Sequence, residues 1–148
     1  MKLNLLEIFI VVGLMIAAYF VYRHFRQVYV KAALIQAIDR VPQDWERGSG
    51  FMIEVWIWQE EAKRNDCFSE VLPDIAARIF DKNYDSRHRS FDLLLSIGDE
   101  AAEVLPILED GRAKKTLTKI EKEEVDYLID AIRRATGNST NVPGALAW

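Results

Sequence analysis

The segment that decides the fold is LNLLEIFIVVGLMIAAYFVY, at residues 3–22. Its strongly polar residues are Asn4 and Glu7, and both lie near its start. As a helix, these 20 residues would be about 30 Å long, which matches the hydrocarbon thickness of a bilayer. The segment therefore predicts a transmembrane helix, and residues 1–22 are predicted to form a membrane anchor.

A cleaved signal peptide is the alternative interpretation of this segment. Its basic region would consist of Met1 and Lys2 alone, and the apolar run is longer than a usual signal core. The residues that follow, YRHFRQVYVK at 22–31, are basic and compatible with a continuing helix, and they contain no small-residue cleavage site. These features favour a retained anchor.

The charges that flank the apolar segment predict its orientation. Lys2 and the terminal amine precede it, whereas Arg23, Arg26 and Lys31 follow it. The positive-inside rule places the C-terminal side in the cytoplasm and the N-terminus outside, as a single-pass membrane protein. Tyr19, Phe20, Tyr22 and Phe25 gather at this same end, as expected for an aromatic belt at a membrane interface. The predicted membrane-interface residues are Tyr19, Tyr22, Arg23, Arg26 and Lys31.

The remainder of the chain is acidic. Of 23 acidic and 19 basic side chains, one acid and four bases lie in residues 1–31, which leaves a formal net charge of −7 for residues 32–148. Nucleic-acid binding requires a basic face, so this composition predicts no nucleic-acid partner. The basic residues 23–31 instead favour anionic lipid headgroups, which makes the bilayer itself a predicted partner.

Residues suited to catalysis are sparse. Cys67 is the single cysteine, so it cannot form an internal disulfide. The two histidines, His24 and His88, are 64 residues apart and lack the spacing of metal ligands. The sequence contains no P-loop, GxGxxG motif or nucleophile elbow. It therefore predicts no catalytic residues, no cofactor, no metal ion and no enzymatic activity.

The rest of the chain has helical periodicity. Residues 23–41 are predicted to continue the apolar helix as a juxtamembrane stalk that Pro42 ends. Residues 51–58 alternate like a strand, but the continuation QEEAKR favours a helix. DKNYDS at 81–86 is predicted to be a turn, and short helices are predicted over residues 69–83, 88–97 and 99–110. Helix ends are predicted at Gly98 and near Gly111.

The last helix has a clear start and end. Thr118 and Glu121 form the T-x-x-E pattern of a capping box, and Gly137 is placed to end the helix. Pro106 is compatible with the preceding helix if that helix begins near Glu103. Residues 138–148 read as a flexible tail. The predicted fold class is all-α, with a single transmembrane helix before a small domain of helical hairpins.

One short motif occurs twice, since Glu-Val-Leu-Pro begins at Glu70 and again at Glu103. Between the copies, the acidic turn IFDKNYDS leads into the basic helix start RHRSFDLLL, then Ile-Gly-Asp, then EVLPILEDG. This order resembles a HEAT-type helical repeat over residues 70–111, and more loosely to residue 137. In that family, the Asp and Arg of the inter-repeat turn would fall on Asp81 or Asp85 and on Arg87 or Arg89.

The resemblance implies antiparallel helix pairs that stack into a continuous core over residues 42–137. An ordinary helical bundle with an accidental repeat is the alternative. The stretch GRAKKTLTK at 111–119 departs from the family pattern by lengthening a turn.

Two sets of residues are candidates for protein contacts. Gly13, Ala17 and Ala18 would let a second transmembrane helix approach closely, either a membrane partner or another copy of the chain. The aromatic residues Trp45, Phe51, Trp56 and Trp58 are predicted to pack between the stalk and the repeats. Any exposed tryptophan would be a docking anchor. The candidate docking residues are Trp56, Trp58 and Trp148.

Glu7 supports a different resemblance. Counted from Leu3, it is the fifth residue of the apolar helix, and the segment resembles the N-terminus of a type IV pilin-like subunit. Lys2 stands where that family has glycine, and the domain that follows is predicted to be helical where pilins carry a sheet. A glutamate close to the lipid headgroups is the simpler interpretation.

Together these patterns predict a membrane-tethered, non-catalytic adaptor or accessory subunit of a membrane complex that binds another protein. A membrane-anchored inhibitor or immunity-type protein is the second hypothesis, and a pilin-like secretion subunit is the third.

Overall fold

The computed structural model describes residues 4–40 and 50–137, and every regular element in these ranges is a helix. The all-α prediction is therefore confirmed, as is the choice of helix over strand for residues 51–58. A 3₁₀ helix, Gly98–Val104, lies between the α-helices Tyr84–Ile97 and Leu105–Lys114. The α-helices are α1 (Leu5–Asp39), α2 (Gly50–Arg64), α3 (Phe68–Arg78), α4 (Tyr84–Ile97), α5 (Leu105–Lys114) and α6 (Lys119–Ala135).

Helix α1 is one unbroken element of 35 residues. Its start is fixed by Glu7, whose carboxylate accepts a hydrogen bond from the backbone N–H of Asn4 at 2.9 Å. An acid in the first turn also stabilises the positive end of the helix dipole. By length and hydropathy, α1 is able to span a membrane.

The two halves of α1 have different surroundings. We call residues 5–22 the apolar half and residues 23–39 the packed half. Every residue from 7 to 22 is exposed, whereas Val30, Leu34 and Ile38 are completely buried. The packed half is therefore an integral helix of the domain and not a separate stalk.

The helices of the domain alternate in direction. Arg26 pairs with Glu61 and Arg40 with Glu54, so α2 runs antiparallel to α1. Helix α3 runs parallel to α1, because its start is near Lys31 and its end is near Asp39. Helix α4 then runs antiparallel to α3, α5 antiparallel to α4, and α6 antiparallel to α5.

All six α-helices contribute to one core. Full burial of an aliphatic side chain stabilises a fold by about 1.5–3 kcal/mol, so this shared core is the main source of stability. Completely buried side chains from the six helices include Leu34, Val55, Ile75, Leu93, Leu94, Leu108 and Leu128.

Helix α4 begins earlier than the sequence predicted. The side-chain oxygen of Asn83 accepts hydrogen bonds from the backbone N–H groups of Asp85 at 3.0 Å and Ser86 at 3.4 Å. This cap starts the helix at Tyr84, so the turn predicted for residues 81–86 was too long. The predicted stop at Gly98 is confirmed, since its φ of 57° ends the helix.

For the helix predicted over residues 99–110, the start near Glu103 that Pro106 allows lies two residues before the observed start, whereas a start at Asp99 and an end near Gly111 are wrong. The 3₁₀ helix occupies its first part, and α5 begins only at Leu105, with Pro106 in the first turn. Helix α5 also continues past Gly111 to Lys114. Gly111 instead allows the ring of Phe80 to pack closely against α5, because a Cβ at this position would lie 2.2 Å from that ring.

The two Glu-Val-Leu-Pro motifs are alike in the burial of their valines but differ in where their prolines lie in the helices. Val71 and Val104 are both buried. However, Pro73 lies inside α3, whereas Pro106 lies at the start of α5. Trp45 and the predicted tail with Trp148 lie outside the described residues.

Candidate docking surfaces and the helix junction

The basic residues predicted to contact the membrane already have carboxylate partners. Arg23 pairs with Asp66 at 2.8 Å, and Arg26 pairs with Glu61 at 2.9 Å. Lys31 pairs with Glu70 at 2.6 Å; this hydrogen bond raises the pKa of Lys31 and lowers the pKa of Glu70. The predicted interface set is therefore split between paired cations and two exposed tyrosines, Tyr19 and Tyr22.

These three pairs position the α2–α3 turn beside α1. Exposed ion pairs contribute about 0–1 kcal/mol each, so their stabilising effect is small. Gln27 adds a neutral contact, since its side-chain amide donates to the backbone carbonyl of Asn65 at 2.8 Å. The domain consequently begins within one residue of the end of the apolar half.

The other end of α1 is capped by a buried arginine. Arg89 extends from α4, and its guanidinium donates to the carbonyls of Ala37 at 2.6 Å, Ile38 at 2.7 Å and Arg40. The last carbonyls of a helix have no partner within the helix and carry its negative dipole end, so a cation is well placed there. Burial lowers the pKa of Arg89 to about 10, which leaves it charged at neutral pH.

A second arginine strengthens the same end. The guanidinium of Arg78 makes two hydrogen bonds of 2.7 Å to the carboxylate of Asp39. This hydrogen bonding holds the pKa of Asp39 below its usual range. Helix α1 is thus fixed to the domain at both ends of its packed half.

The small residues predicted to pack in the membrane contact no other helix. Gly13 has no heavy atom within 4 Å of the position that a Cβ would occupy, and Ala17 and Ala18 are exposed. Their role in helix association stays a prediction.

The aromatic residues of α2 differ in environment. Trp56 is 46% exposed, and it lies on the outer face of α2 together with the exposed Ile53 and Ile57. Trp58 is half-buried and makes an edge-to-face contact with Tyr29 of α1, with ring centroids 5.7 Å apart. The predicted core cluster is therefore wrong for Trp56, which is a surface residue.

An open groove runs between α1 and α2 beside these aromatic rings. Tyr29 and Trp58 form its apolar side, and Arg40 and Glu54, paired at 3.2 Å, form its polar end. Such a combination of aromatic surface and charged rim is common in protein-binding sites. The groove is lined by Tyr29, Ala32, Ala33, Gln36, Arg40, Glu54 and Trp58.

A smaller cavity lies between α4 and α6. Its volume is about 80 Å³, and an ion pair between Arg87 and Glu121 lies along its wall. The rings of Tyr84 and His88 stack beside it with centroids 5.6 Å apart. Pockets for cofactors and drug-sized ligands are about 300–1,000 Å³, so this cavity is far below that size.

The single thiol is enclosed by the core. Cys67 is completely buried, and burial raises the pKa of its thiol, which favours the unreactive protonated form. Within residues 4–40 and 50–137, no group of three His, Cys, Asp or Glu side chains is arranged to hold a metal ion.

Sequence reasoning missed the structural role of Arg89 and named it only, together with Arg87, as a candidate for the arginine of a repeat turn. A signal was present, since Arg89 follows the helical spacing of the buried residues Ser86, Leu93 and Leu94. A long cation on an apolar stripe indicates a buried hydrogen-bonding partner. The partner itself, the end of α1, is about fifty residues away in sequence.

Comparisons of the chain with protein-family models, with curated proteins and with solved structures give no match. Function is therefore inferred from the surfaces described above.

Proposed function

We propose that this chain is a membrane-tethered adaptor or accessory subunit that binds a protein partner and catalyses no reaction. The apolar half of α1 crosses the bilayer, with the N-terminus outside. The helical domain lies on the cytoplasmic side and presents its outer surface to the partner.

The unequal surroundings of α1 carry this proposal. The most apolar 18-residue window of α1 has a mean hydropathy of 1.8 and no buried residues. Exposure of so many large apolar side chains to water is unfavourable, by about 25 cal/mol for each Å². Lipid would remove this cost, because the helix satisfies its own backbone hydrogen bonds.

The rigid junction explains how a tether would act here. Tyr29 is seven residues beyond the apolar half, so the groove would lie about 10 Å from the membrane surface. Because no flexible linker separates the span from the domain, the docking groove keeps a fixed height. A partner held there has a high effective concentration at the membrane.

The outer surface is suited to a protein partner whose own contact surface has a basic rim. Trp56 and Trp58 supply aromatic contact area, and residues 32–148 carry a formal net charge of −7. Within this proposal, α4 and α5 form one HEAT-like unit, and α3 and α6 belong to the flanking units. Stacked helix pairs of this kind usually provide binding surfaces.

Membrane extraction followed by partner capture tests the proposal. Tagged full-length protein should stay in the membrane pellet after alkaline carbonate washing. In mild detergent it should retain a stoichiometric protein partner. The variant Trp58→Ala should lose that partner, whereas the control Tyr127→Ala should keep it, because Tyr127 is 54% exposed on α6 and does not line the groove. Release by carbonate, or equal partner loss from both variants, would contradict the proposal.

Two further outcomes distinguish the other hypotheses. An inhibitor or immunity-type protein would rescue cells from a co-expressed toxic partner, whereas an adaptor would activate the partner or leave it unchanged. A pilin-like subunit would lose Met1 and Lys2 and gain an N-methyl group, which an intact mass measurement detects.

A further inference from the structure

A continuous apolar stripe runs along the outer side of α1, and the proposed function gives it no protein contact except at Ala32, which also lines the docking groove. Its members are separated alternately by three and four residues, which is the heptad spacing of a coiled-coil seam. All of them are exposed, and Phe25 reaches 69%. The stripe consists of Val11, Leu14, Ala18, Val21, Phe25, Val28 and Ala32.

The stripe faces directly away from the domain. Val30 and Leu34 are completely buried, and they mark the side of α1 that packs against the other helices. Val28 and Ala32 precede them by two residues, which is a rotation of about 200° around a helix. A second helix can therefore lie along the stripe on the side of α1 opposite the core, and at the last turn it would meet the edge of the docking groove, which Ala32 lines.

The stripe does not stop at the end of the apolar half. Phe25, Val28 and Ala32 extend it about 15 Å past Tyr22, in a region where Arg23 and Arg26 already pair with carboxylates. Lipid tails would cover the stripe only as far as Tyr22. A helix that leaves the bilayer beside α1 would cover the last two turns of the stripe.

We propose that this occupant is a second copy of the chain and that the two α1 helices form a parallel coiled coil. Two copies in one membrane have the same orientation, so the same seven positions meet in register. The flanking positions of the juxtamembrane part are His24, Tyr29, Lys31 and Gln36, and they place no two like charges opposite each other.

This seam differs from the helix line of Gly13 and Ala17, although it includes the third small residue, Ala18. Gly13, Ala17 and His24 lie on one line of the helix, about 100° from Phe25. Association through Gly13 and Ala17 would bring the two His24 residues together. Association through the seam would bring together the two Phe25 residues and the two Val28 residues.

Cysteine cross-linking in membranes distinguishes the two faces. In full-length protein with Cys67→Ala, the variants Phe25→Cys, Val28→Cys and His24→Cys are oxidised with copper phenanthroline. We expect covalent dimers from Phe25→Cys and Val28→Cys and none from His24→Cys. Dimers from His24→Cys alone, or from no variant, would overturn the proposal.

A charge substitution provides an independent measurement. The native mass of detergent-solubilised protein should be twice that of one chain, and Val28→Arg should lose the dimer entirely. Ile57→Arg is the matched control, because Ile57 is equally apolar and 55% exposed, on α2. The Ile57→Arg variant should remain dimeric. A dimer that survives Val28→Arg, or a wild-type monomer, would count against the seam.

The inference rests on the proposed membrane insertion of α1, and the two can fail separately. Release of the protein by alkaline carbonate would contradict the tether itself. Retention in the membrane without cross-links at Phe25 and Val28 would contradict the seam alone.

Discussion

The apolar half and the packed half of α1 share one backbone conformation but present different side-chain patterns. Leu14 in the first half is 66% exposed, whereas Leu34 in the second is completely buried. The first half is apolar on every side, and the second half buries one face and exposes charged residues on others. The comparison shows that helix formation is common to both halves, whereas the pattern around the helix determines what covers it.

The largest expected difference is between two leucine substitutions. Leu34→Ala should lower the free energy of unfolding by about 2–5 kcal/mol, because it removes buried methyl groups and leaves a cavity. Leu14→Ala should leave domain stability unchanged, because its side chain contacts no part of the domain core. Urea unfolding of the detergent-solubilised chain, followed by tryptophan fluorescence, measures both. Equal losses would show that the two halves unfold as one unit.

The next largest effect concerns the end of the packed half. Arg89→Met keeps an apolar stem of similar length but leaves the carbonyls of Ala37 and Ile38 without their donor. Unsatisfied buried groups cost about 1–3 kcal/mol each, so we expect a loss of about 3 kcal/mol. Arg87→Met is the control, since its partner Glu121 is partly exposed and the loss should be below about 1 kcal/mol. Similar losses of stability from Arg89→Met and Arg87→Met would contradict the capping role of Arg89.

Two helical glycines that differ in packing, Gly111 and Gly13, provide a third test. Gly111→Ala would place a Cβ 2.2 Å from the ring of Phe80, and such overpacking costs about 1–3 kcal/mol. Gly13→Ala meets no atom and should raise helix propensity by about 1 kcal/mol without changing the domain. Thermal unfolding followed by circular dichroism compares the stability of the Gly111→Ala and Gly13→Ala variants. If Gly111→Ala is stabilising, then Phe80 moves aside freely and the close approach is unimportant.

The smallest effect depends on pH. Because Arg78 lowers the pKa of Asp39, the pair stabilises the folded state above the unfolded pKa of about 4, and this contribution is lost as pH falls through the folded pKa. Asp39→Asn should therefore cost less than about 1 kcal/mol at pH 7 and flatten the decline of stability below about pH 4. Urea midpoints measured across this range test the sign. An unchanged decline would assign the acid sensitivity to other carboxylates.

Local signals in the sequence predicted much of the fold. The Thr118–Glu121 capping box starts α6 as expected, and the carboxylate of Glu121 accepts the backbone N–H of Thr118 at 2.8 Å. The stop at Gly98 was equally predictable. Each of these features depends on residues within one turn, so sequence spacing is sufficient to identify it.

Long-range features could not be predicted in the same way. Gly111 looked like a helix stop, but its small size is required by Phe80, which lies more than thirty residues earlier. The candidate docking residues showed the same limit, because only the contact with Tyr29 distinguishes the half-buried Trp58 from the exposed Trp56. Spacing indicates which side chains share a helix face and not which distant element covers that face.

The unbroken helix also makes the domain sensitive to the bilayer. In the proposed placement, the packed half extends about 26 Å beyond the membrane surface as a stiff continuation of the span. Transmembrane helices commonly tilt by about 20°, and a tilt of that size would shift the far end of the packed half sideways by about 9 Å. A thinner or thicker bilayer would change the tilt of the span, and the docking groove would be reoriented along with it.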